Sequence, residues 1–298
     1  MSVQRGRVKA RSECFICLLK QAHATAKIAG KNEEETKGVV LSVASILHSL
    51  DPEGTPPLLA VEVYERIGEM LNESDPYAAI KAHSIKIARE MVARLGEIPE
   101  ELSPCERLAM ALKIAVLGNV IDYGAQESFC VQEESKTLFE TPWAKEAIAL
   151  FYEQLLGAKR IVYLGDNAGE NIFDRVLLGE MKRLNPQASI HYFTRGRAII
   201  NDLTYEEAKG CEMESLCTLV DSGVPSPGFI YALATKEAQG LYDEADLILS
   251  KGMGNFEVLE DSKDPRLFML FKVKCEVVAK HLGIPLGGLV FAHSPSLF

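Results

Sequence analysis

The sequence predicts an α/β protein, with an all-helical first half followed by a mainly parallel sheet that carries helices on its faces. Three observations predict it. In the first half, apolar residues recur at helical spacing between Pro or acidic starts and Gly or Asn stops. In the second half, short β-rich runs alternate with helical stretches, the rhythm of a parallel sheet. Four of those runs end in a polar residue beside a glycine.

The elements follow in order. "CFICLLKQAHATAKIAG" reads as a helix that stops at Gly30, and "EEETKGVVLSVASILHSL" as a second that ends before Asp51-Pro52. "TPPLLAVEVYERIGEMLN" opens on prolines and closes near Asn72. "DPYAAIKAHSIKIAREMVARLG" has Pro in its first turn and Gly at its far end, the usual asymmetry of a helix. "PCERLAMALKIAVLGNVIDYG" is apolar nearly all round from Leu108 to Leu117, which predicts a buried central helix. A further helix is expected over "WAKEAIALFYEQLLG", with the boundary between a helical subdomain (1–150) and an α/β domain (151–298) inside it. The β-rich runs are "RIVYLGD" (160–166), "SIHYFTRG" (189–196), "CTLVDSG" (217–223), "DLILSKG" (246–252) and "LGGLVFAH" (286–293). No internal repeat or low-complexity tract interrupts them.

The composition narrows the function. A chain of 298 residues with 47% hydrophobic content can bury a sizeable core. A formal net charge of −10 argues against broad nucleic-acid binding, which needs a basic footprint. It leaves room for a small anionic ligand, because a metal ion reverses the sign of the local field. No segment approaches the roughly 20 apolar residues of a membrane span. The basic, polar start "MSVQRGRVKARSE" lacks a signal-peptide core, so the expected location is the cytoplasm. Seven cysteines, an odd number, fit a reducing compartment better than a disulfide scaffold.

The run ends locate a candidate site. In a parallel sheet all carboxyl ends share one edge, and open α/β sheets bind ligands in the crevice there. Gly165-Asp166-Asn167, Thr194-Arg195-Gly196, Asp221-Ser222-Gly223 and Ser250-Lys251-Gly252 are therefore expected to converge. Asp166, Asn167 and Asp202 offer hard oxygen ligands suited to Mg²⁺, Mn²⁺ or a similar divalent ion. Lys251 and Arg195 add positive charge, and the N–H groups of Ala168 to Glu170 stand where a helix start attracts an anion. Together these suit a phosphoryl group. The plainer reading stands beside it: Asp166-Asn167 is also what a helix cap looks like, and Asp202 a turn. At the end of the buried helix, Asn119 and Asp122 share a face at i, i+3. Gly124 explains a C-terminal cap there, but a carboxylate is disfavoured near a helix C-terminus, so this pair is a candidate for the pocket.

These segments resemble the damage-control phosphatase family, long called the domain of unknown function 89 family, in its microbial branch. The resemblance rests on Cys14-Phe15-Ile16-Cys17, Asp75-Pro76-Tyr77 with Lys81, Gly118-Asn119-Val120-Ile121-Asp122, and Gly165-Asp166-Asn167-Ala168-Gly169-Glu170. It continues through Arg195-Gly196 to Asn201-Asp202, Lys251-Gly252-Met253-Gly254-Asn255-Phe256-Glu257 and Phe271-Lys272-Val273-Lys274-Cys275. It implies a helical subdomain on a Rossmann-like α/β/α sandwich. It also implies a phosphatase that uses Mn, Co or Ni on sugar phosphates or damaged phosphometabolites. By resemblance, Asp166, Asn167 and Asp202 hold the metal and Lys251 contacts the phosphate. Ala198 stands where the family often has proline, which removes a φ constraint and leaves the ligands in place. Glu170 is expected to hold a water or a substrate hydroxyl. With Asn119, Asp122, Arg195, Ser222, Gly252 and Asn255 it completes the expected substrate-facing set. Phosphorylation of Asp166 and direct attack by water both use these residues.

Cys14 and Cys17 form a CxxC on a helix, read either as packing thiols or as part of a second metal site or regulatory disulfide, with Cys105 and His23 as weak additions. Cys130, Cys211, Cys217 and Cys275 read as core or chance. His23, His48, His83, His191 and His281 read as structural, and His293 as near the site only through its run end. Two other functions compete. A methyltransferase using S-adenosylmethionine would need a glycine pattern that "YLGDNAGE" lacks, and leaves Lys251 and Asp202 without a role. A non-catalytic metal or redox-sensing module leaves the convergent Lys and Arg unexplained. The sequence is silent on oligomeric state.

Overall fold

Residues 8–120 and 139–297 are described in the computed structural model of the chain, without the side chains of Asn119 and Val120. Five helices come first: α1 (Ser12–Ile28), α2 (Glu33–Ile46), α3 (Pro56–Leu71), α4 (Ala78–Leu95) and α5 (Pro104–Val120). Their ends follow the local chemistry. Asn32 and Glu35 form a reciprocal capping box on α2, with Glu35 N to Asn32 Oδ1 and Asn32 N to Glu35 Oε2 both at 3.0 Å. Pro56 and Pro57 start α3, and Asn72 ends it in the left-handed region at φ 51°.

The second half alternates β1 (Trp143–Lys145), α6 (Ile148–Gly157), β2 (Arg160–Leu164), α7 (Glu170–Leu184), β3 (Ser189–Thr194) and α8 (Tyr205–Lys209). It continues with β4 (Thr218–Asp221), α9 (Lys236–Asp243), β5 (Leu247–Lys251), α10 (Met253–Leu259), β6 (Leu267–Lys272), α11 (Glu276–Leu282) and β7 (Leu289–His293). The sheet order is β1-β7-β6-β5-β2-β3-β4. Strands β6, β5, β2, β3 and β4 run parallel, β7 is antiparallel to β6, and β1 is parallel to β7. The chain runs outward from β2 to β3 and β4, then returns to place β5 on the other side of β2. The topological switch therefore lies between β2 and β5, where a crevice is expected at the carboxyl ends.

Both sheet faces are covered, which explains why the strands are continuous apolar runs. Ile161, Tyr163, Tyr192, Leu249, Phe268 and Phe291 join one core with α4, α5, α6 and α7. Their neighbours in sequence, Val162, Leu164, Phe193, Ile248, Met269 and Val290, join the opposite core with α9, α10 and α11. A third core, from Leu18 to Leu71, belongs to α1, α2 and α3. Helix α5 is the buried helix its composition predicts, with Leu108, Leu112 and Ala115 to Leu117 all enclosed. Gly118 lets it meet the start of α7: a Cβ there would lie 2.9 Å from the Glu170 Cα.

Three expectations need correction. The helix expected over 143–157 is a strand and a shorter helix, because Trp143 and Lys145 pair with Leu289 and Val290 of β7. Strand β6 was not expected at all. Its apolar run Leu267–Phe271 has no alternation and no glycine tip, since it is buried on both faces. His293 is far from the expected edge: β7 is antiparallel, so His293 pairs with Phe268 at the start of β6, and its Nε2 meets the Pro265 carbonyl at 2.8 Å.

Candidate active site

The loop after β2 and the loop after β3 are stitched together, and this builds the site. The Leu203 N–H donates to the Asp166 carbonyl at 2.9 Å, and the Ala168 N–H to the Asn201 carbonyl at 2.9 Å. Asn167 and Asp202 thereby form an isolated antiparallel bridge. Arg195, at the tip of β3, donates its own N–H to the Leu203 carbonyl at 2.9 Å. Asp166, Asn167, Arg195 and Asp202 are thus fixed in one place by main-chain bonds.

The Arg195 guanidinium lies between the two aspartates. Its Nε donates to Asp202 Oδ2 at 2.6 Å, and its Nη2 reaches Asp166 Oδ1 at 3.4 Å and the Pro227 carbonyl at 2.7 Å. Nη1 donates to Asn255 Oδ1 at 3.2 Å. Asn255 in turn joins three loops, donating Nδ2 to the Lys251 and Gly165 carbonyls at 2.7 and 3.1 Å and accepting the Phe229 N–H at 2.7 Å. Asn167 Nδ2 points at Glu170 Oε1 (2.7 Å) and Asp166 Oδ2 (3.1 Å).

A second layer lies beneath. Lys251 is fully enclosed, and its ammonium donates to Asp174 Oδ1 at 2.7 Å, the Ala115 carbonyl at 3.0 Å and Glu170 Oε2 at 3.3 Å. Asp174 Oδ2 also accepts from the Tyr192 hydroxyl at 2.8 Å. Burial works to lower the Lys251 pKa, but the Asp174 and Glu170 carboxylates outweigh it and hold the ammonium above its ordinary value.

Four buried carboxylates, Asp166, Glu170, Asp174 and Asp202, are thus packed with two buried cations, Arg195 and Lys251. The excess of negative charge is felt most at Asp166. Burial, then Glu170 and Asp202, push its carboxyl well above the usual range, against Arg195 and Lys274. Burial pushes Asp202 up to about 6. Among the described residues the pocket is oxygen-rich, with more carboxylates than cations, the donor chemistry that a hard divalent cation fits. Asn167 would hold such a cation through Oδ1, so its carboxamide would turn over from the orientation described above.

The structure brings Asp166, Asn167, Glu170, Arg195, Asp202, Lys251, Gly252 and Asn255 together. Ser222 stands at the neighbouring tip, but its hydroxyl is engaged, donating to the Thr194 carbonyl at 2.5 Å and accepting the Val224 N–H at 3.2 Å. The expected anion-binding N–H groups are engaged too, which corrects that reading. Ala168 donates to Asn201, Gly169 to Asn171 Oδ1 at 2.9 Å and Glu170 to the Asn167 carbonyl at 3.1 Å. Asp122 and the side chain of Asn119 lie outside the described residues.

Two residues were missed. Asp174 stands four after Glu170 on one face of α7, a like-charged pair that needs a cation from elsewhere, and Lys251 is that cation. Lys274, on the loop after β6, is exposed and lies within electrostatic reach of Asp166. Beside the site opens a cavity of about 760 Å³ between α3, the α3–α4 loop and the loop after β3, lined by Tyr64, Asn72, Asp75, Tyr77, Arg197 and Ile199, among others. Tyr64 is within electrostatic reach of Asp202, which places this cavity next to the carboxylates. Lys81, wholly buried, ion-pairs Asp75 at 2.6 Å and Glu207 at 2.5 Å and so ties the cavity wall to α8.

Comparison with known proteins identifies the family and the fold. The family model described as "Damage-control phosphatase ARMT1-like domain" matches residues 10–290. A protein of Archaeoglobus fulgidus named damage-control phosphatase is 31% identical, over 93% of this chain and 96% of its own. A damage-control phosphatase of Pyrococcus horikoshii is 29% identical, over 95% of this chain and 97% of its own. A crystal structure of a domain of unknown function 89 family protein from Pyrococcus horikoshii superposes with a TM-score of 0.88 at 26% identity, covering 96% of this chain and 99% of that one.

Proposed function

The chain belongs to the damage-control phosphatase ARMT1-like family, and from that premise we propose that it is a divalent-metal-dependent phosphatase acting on small phosphorylated metabolites. The observation that carries the proposal is the group Asp166–Arg195–Asp202, two buried carboxylates held on one guanidinium at the switch point of the sheet. Asp166, Asn167 and Asp202 would hold the metal: Mn, Co, Ni or Mg. When bound, the ion supplies positive charge to the phosphoryl oxygens and eases loss of a proton from water.

The chain's own residues do the rest. Arg195 sets the spacing of the two aspartates, and Asn255 locks Arg195 to the β2 and β5 loops. Lys251 neutralises Glu170 and Asp174 from below and so holds the floor of the site in place. Lys274 presents an exposed ammonium on the Asp166 side, suited to meet a phosphate dianion. Asp166 would either attack phosphorus itself or take a proton from an attacking water. The neighbouring cavity, with hydroxyl, carboxamide and carboxylate groups on its wall, suits the polar remainder of a sugar-phosphate-sized substrate. Among the described residues no helix is long and apolar enough to cross a membrane.

The test is phosphate release from p-nitrophenyl phosphate and a panel of sugar phosphates by metal-stripped protein, with Mg, Mn, Co, Ni or Zn added singly. Release restored by metal in the wild type and lost in Asp166→Ala supports the proposal. A folded protein that releases no phosphate with any of these metals would overturn it.

A further inference from the structure

A second cluster of ligand-type side chains, none of them among the Asp166 carboxylates, lies where α1 meets α10 and α11. Helix α1 carries Cys14 and Cys17 one turn apart, the N-cap of α11 is Cys275, and α10 carries Glu257. All four line one cavity of about 260 Å³, whose other walls include Leu18, Pro57, Ala60 and Val277. Cys275, which reads as core or chance in the sequence, lines this cavity, whereas Cys105 and His23, the weak additions to the CxxC, do not.

Glu257 is the informative member. It is 8% exposed, and no described residue gives it a hydrogen bond or an ion pair. A buried carboxylate is ordinarily paired or hydrogen-bonded, or it coordinates a metal. Three thiols and one carboxylate facing one cavity are the donor types that a borderline-soft cation takes. A disulfide between two of the cysteines would leave Glu257 without a role. Cys17 is exposed, which gives an entry path.

We propose that Cys14, Cys17, Cys275 and Glu257 form a second metal site, for a thiophilic ion of the Zn²⁺ class. Three sulfurs from a CxxC and a distant cysteine, completed by one oxygen, supply the four ligands of a tetrahedral centre. Among the described residues no three His, Cys, Asp or Glu side chains already stand assembled around a metal position, so binding requires these four to close in on the ion and releases the thiol protons. The site joins α1, α10 and α11, and α10 begins at Gly252, beside Asp166. The occupied site therefore fixes the helical layer against the wall of the active site.

The experiment is titration of full-length, metal-stripped and fully reduced protein with Co²⁺, read by sulfur-to-cobalt charge-transfer absorption in the near ultraviolet. The all-oxygen site at Asp166 gives no such band. The proposal expects a band that saturates at one ion per chain and is displaced by Zn²⁺. It expects the band to be lost in Cys14→Ser and in Cys275→Ser, weakened in Glu257→Gln and kept in Asp166→Asn. Absence of the band in reduced wild-type protein at saturating Co²⁺ overturns the proposal without reference to any variant. So does a band that survives in a folded Cys14→Ser, Cys275→Ser double variant.

Discussion

The Asp166 carboxylate occupies the space that a side chain on Gly252 would need. A Cβ at Gly252 would lie 2.0 Å from Asp166 Oδ2, and the Gly252 backbone sits at φ +82°. The tips of β2 and β5 can approach this closely only with glycine at 252. Gly252→Ala is therefore expected to cost about 1–3 kcal/mol from backbone strain, with further loss from displacing Asp166. Its urea midpoint and its turnover should both fall, whereas Gly240→Ala, in an open position inside α9, should raise the midpoint slightly and leave turnover unchanged.

Asp166 illustrates a site whose charge opposes the stability of the fold. Burial, Glu170 and Asp202 all disfavour its ionised form. Asp166→Asn should lower turnover by at least about a hundredfold, the scale of losing one group that stabilises the transition state. In metal-free protein at neutral pH the same variant should melt above the wild type, because a repelled charge is gone. Calorimetry with and without metal checks both halves.

Two lysines near the site should behave differently. Lys251→Met leaves Glu170 and Asp174 buried without their cation and should destabilise the fold by about 3–5 kcal/mol. Lys274→Ala, at an exposed position, should leave stability within about 0.5 kcal/mol. Its effect should appear as a raised KM for phosphorylated substrates, measured beside denaturation curves for both variants.

Glu257 sets a pH dependence of known sign. Its carboxyl rises from 4.5 to about 8 on burial, so between those values the folded protein holds a proton that the unfolded chain has lost. Its contribution is full below 4.5 and is lost as pH rises through about 8. Metal-free wild type should lose stability over that range, by up to about 1.4 kcal/mol per pH unit from this group. Glu257→Gln should flatten the curve, as read from urea midpoints of reduced protein.

Much of the fold was legible because local chemistry and tertiary structure agree. The four run ends beside a glycine proved to be the carboxyl ends of β2, β3, β4 and β5, and the stops at Gly30 and Asn72 fall at helix ends. Strand β6 was not legible, since a strand buried on both faces has no alternation to read. Nor was the direction of β7, which depends on its pairing with β6 and not on its own residues. In the site, Asp166, Asn167 and Arg195 could be read as neighbours from their place at strand tips, whereas Asp202 joins them through the main-chain bridge to Asn167. What could not be read was which donors are already engaged: Lys251 is directed downward to Asp174, and the Ala168 and Gly169 N–H groups are taken by Asn201 and Asn171. Cys275 lies far from the CxxC in sequence, so only the folded chain shows them on one cavity.

The most direct test of the central claim measures metal content and phosphate release on the same samples of metal-stripped protein, loaded stepwise with Mn²⁺. The account predicts a rate proportional to occupancy of the oxygen site, near zero without metal and abolished in Asp166→Asn and Asp202→Asn. Full phosphate release by protein shown to contain no metal would contradict it.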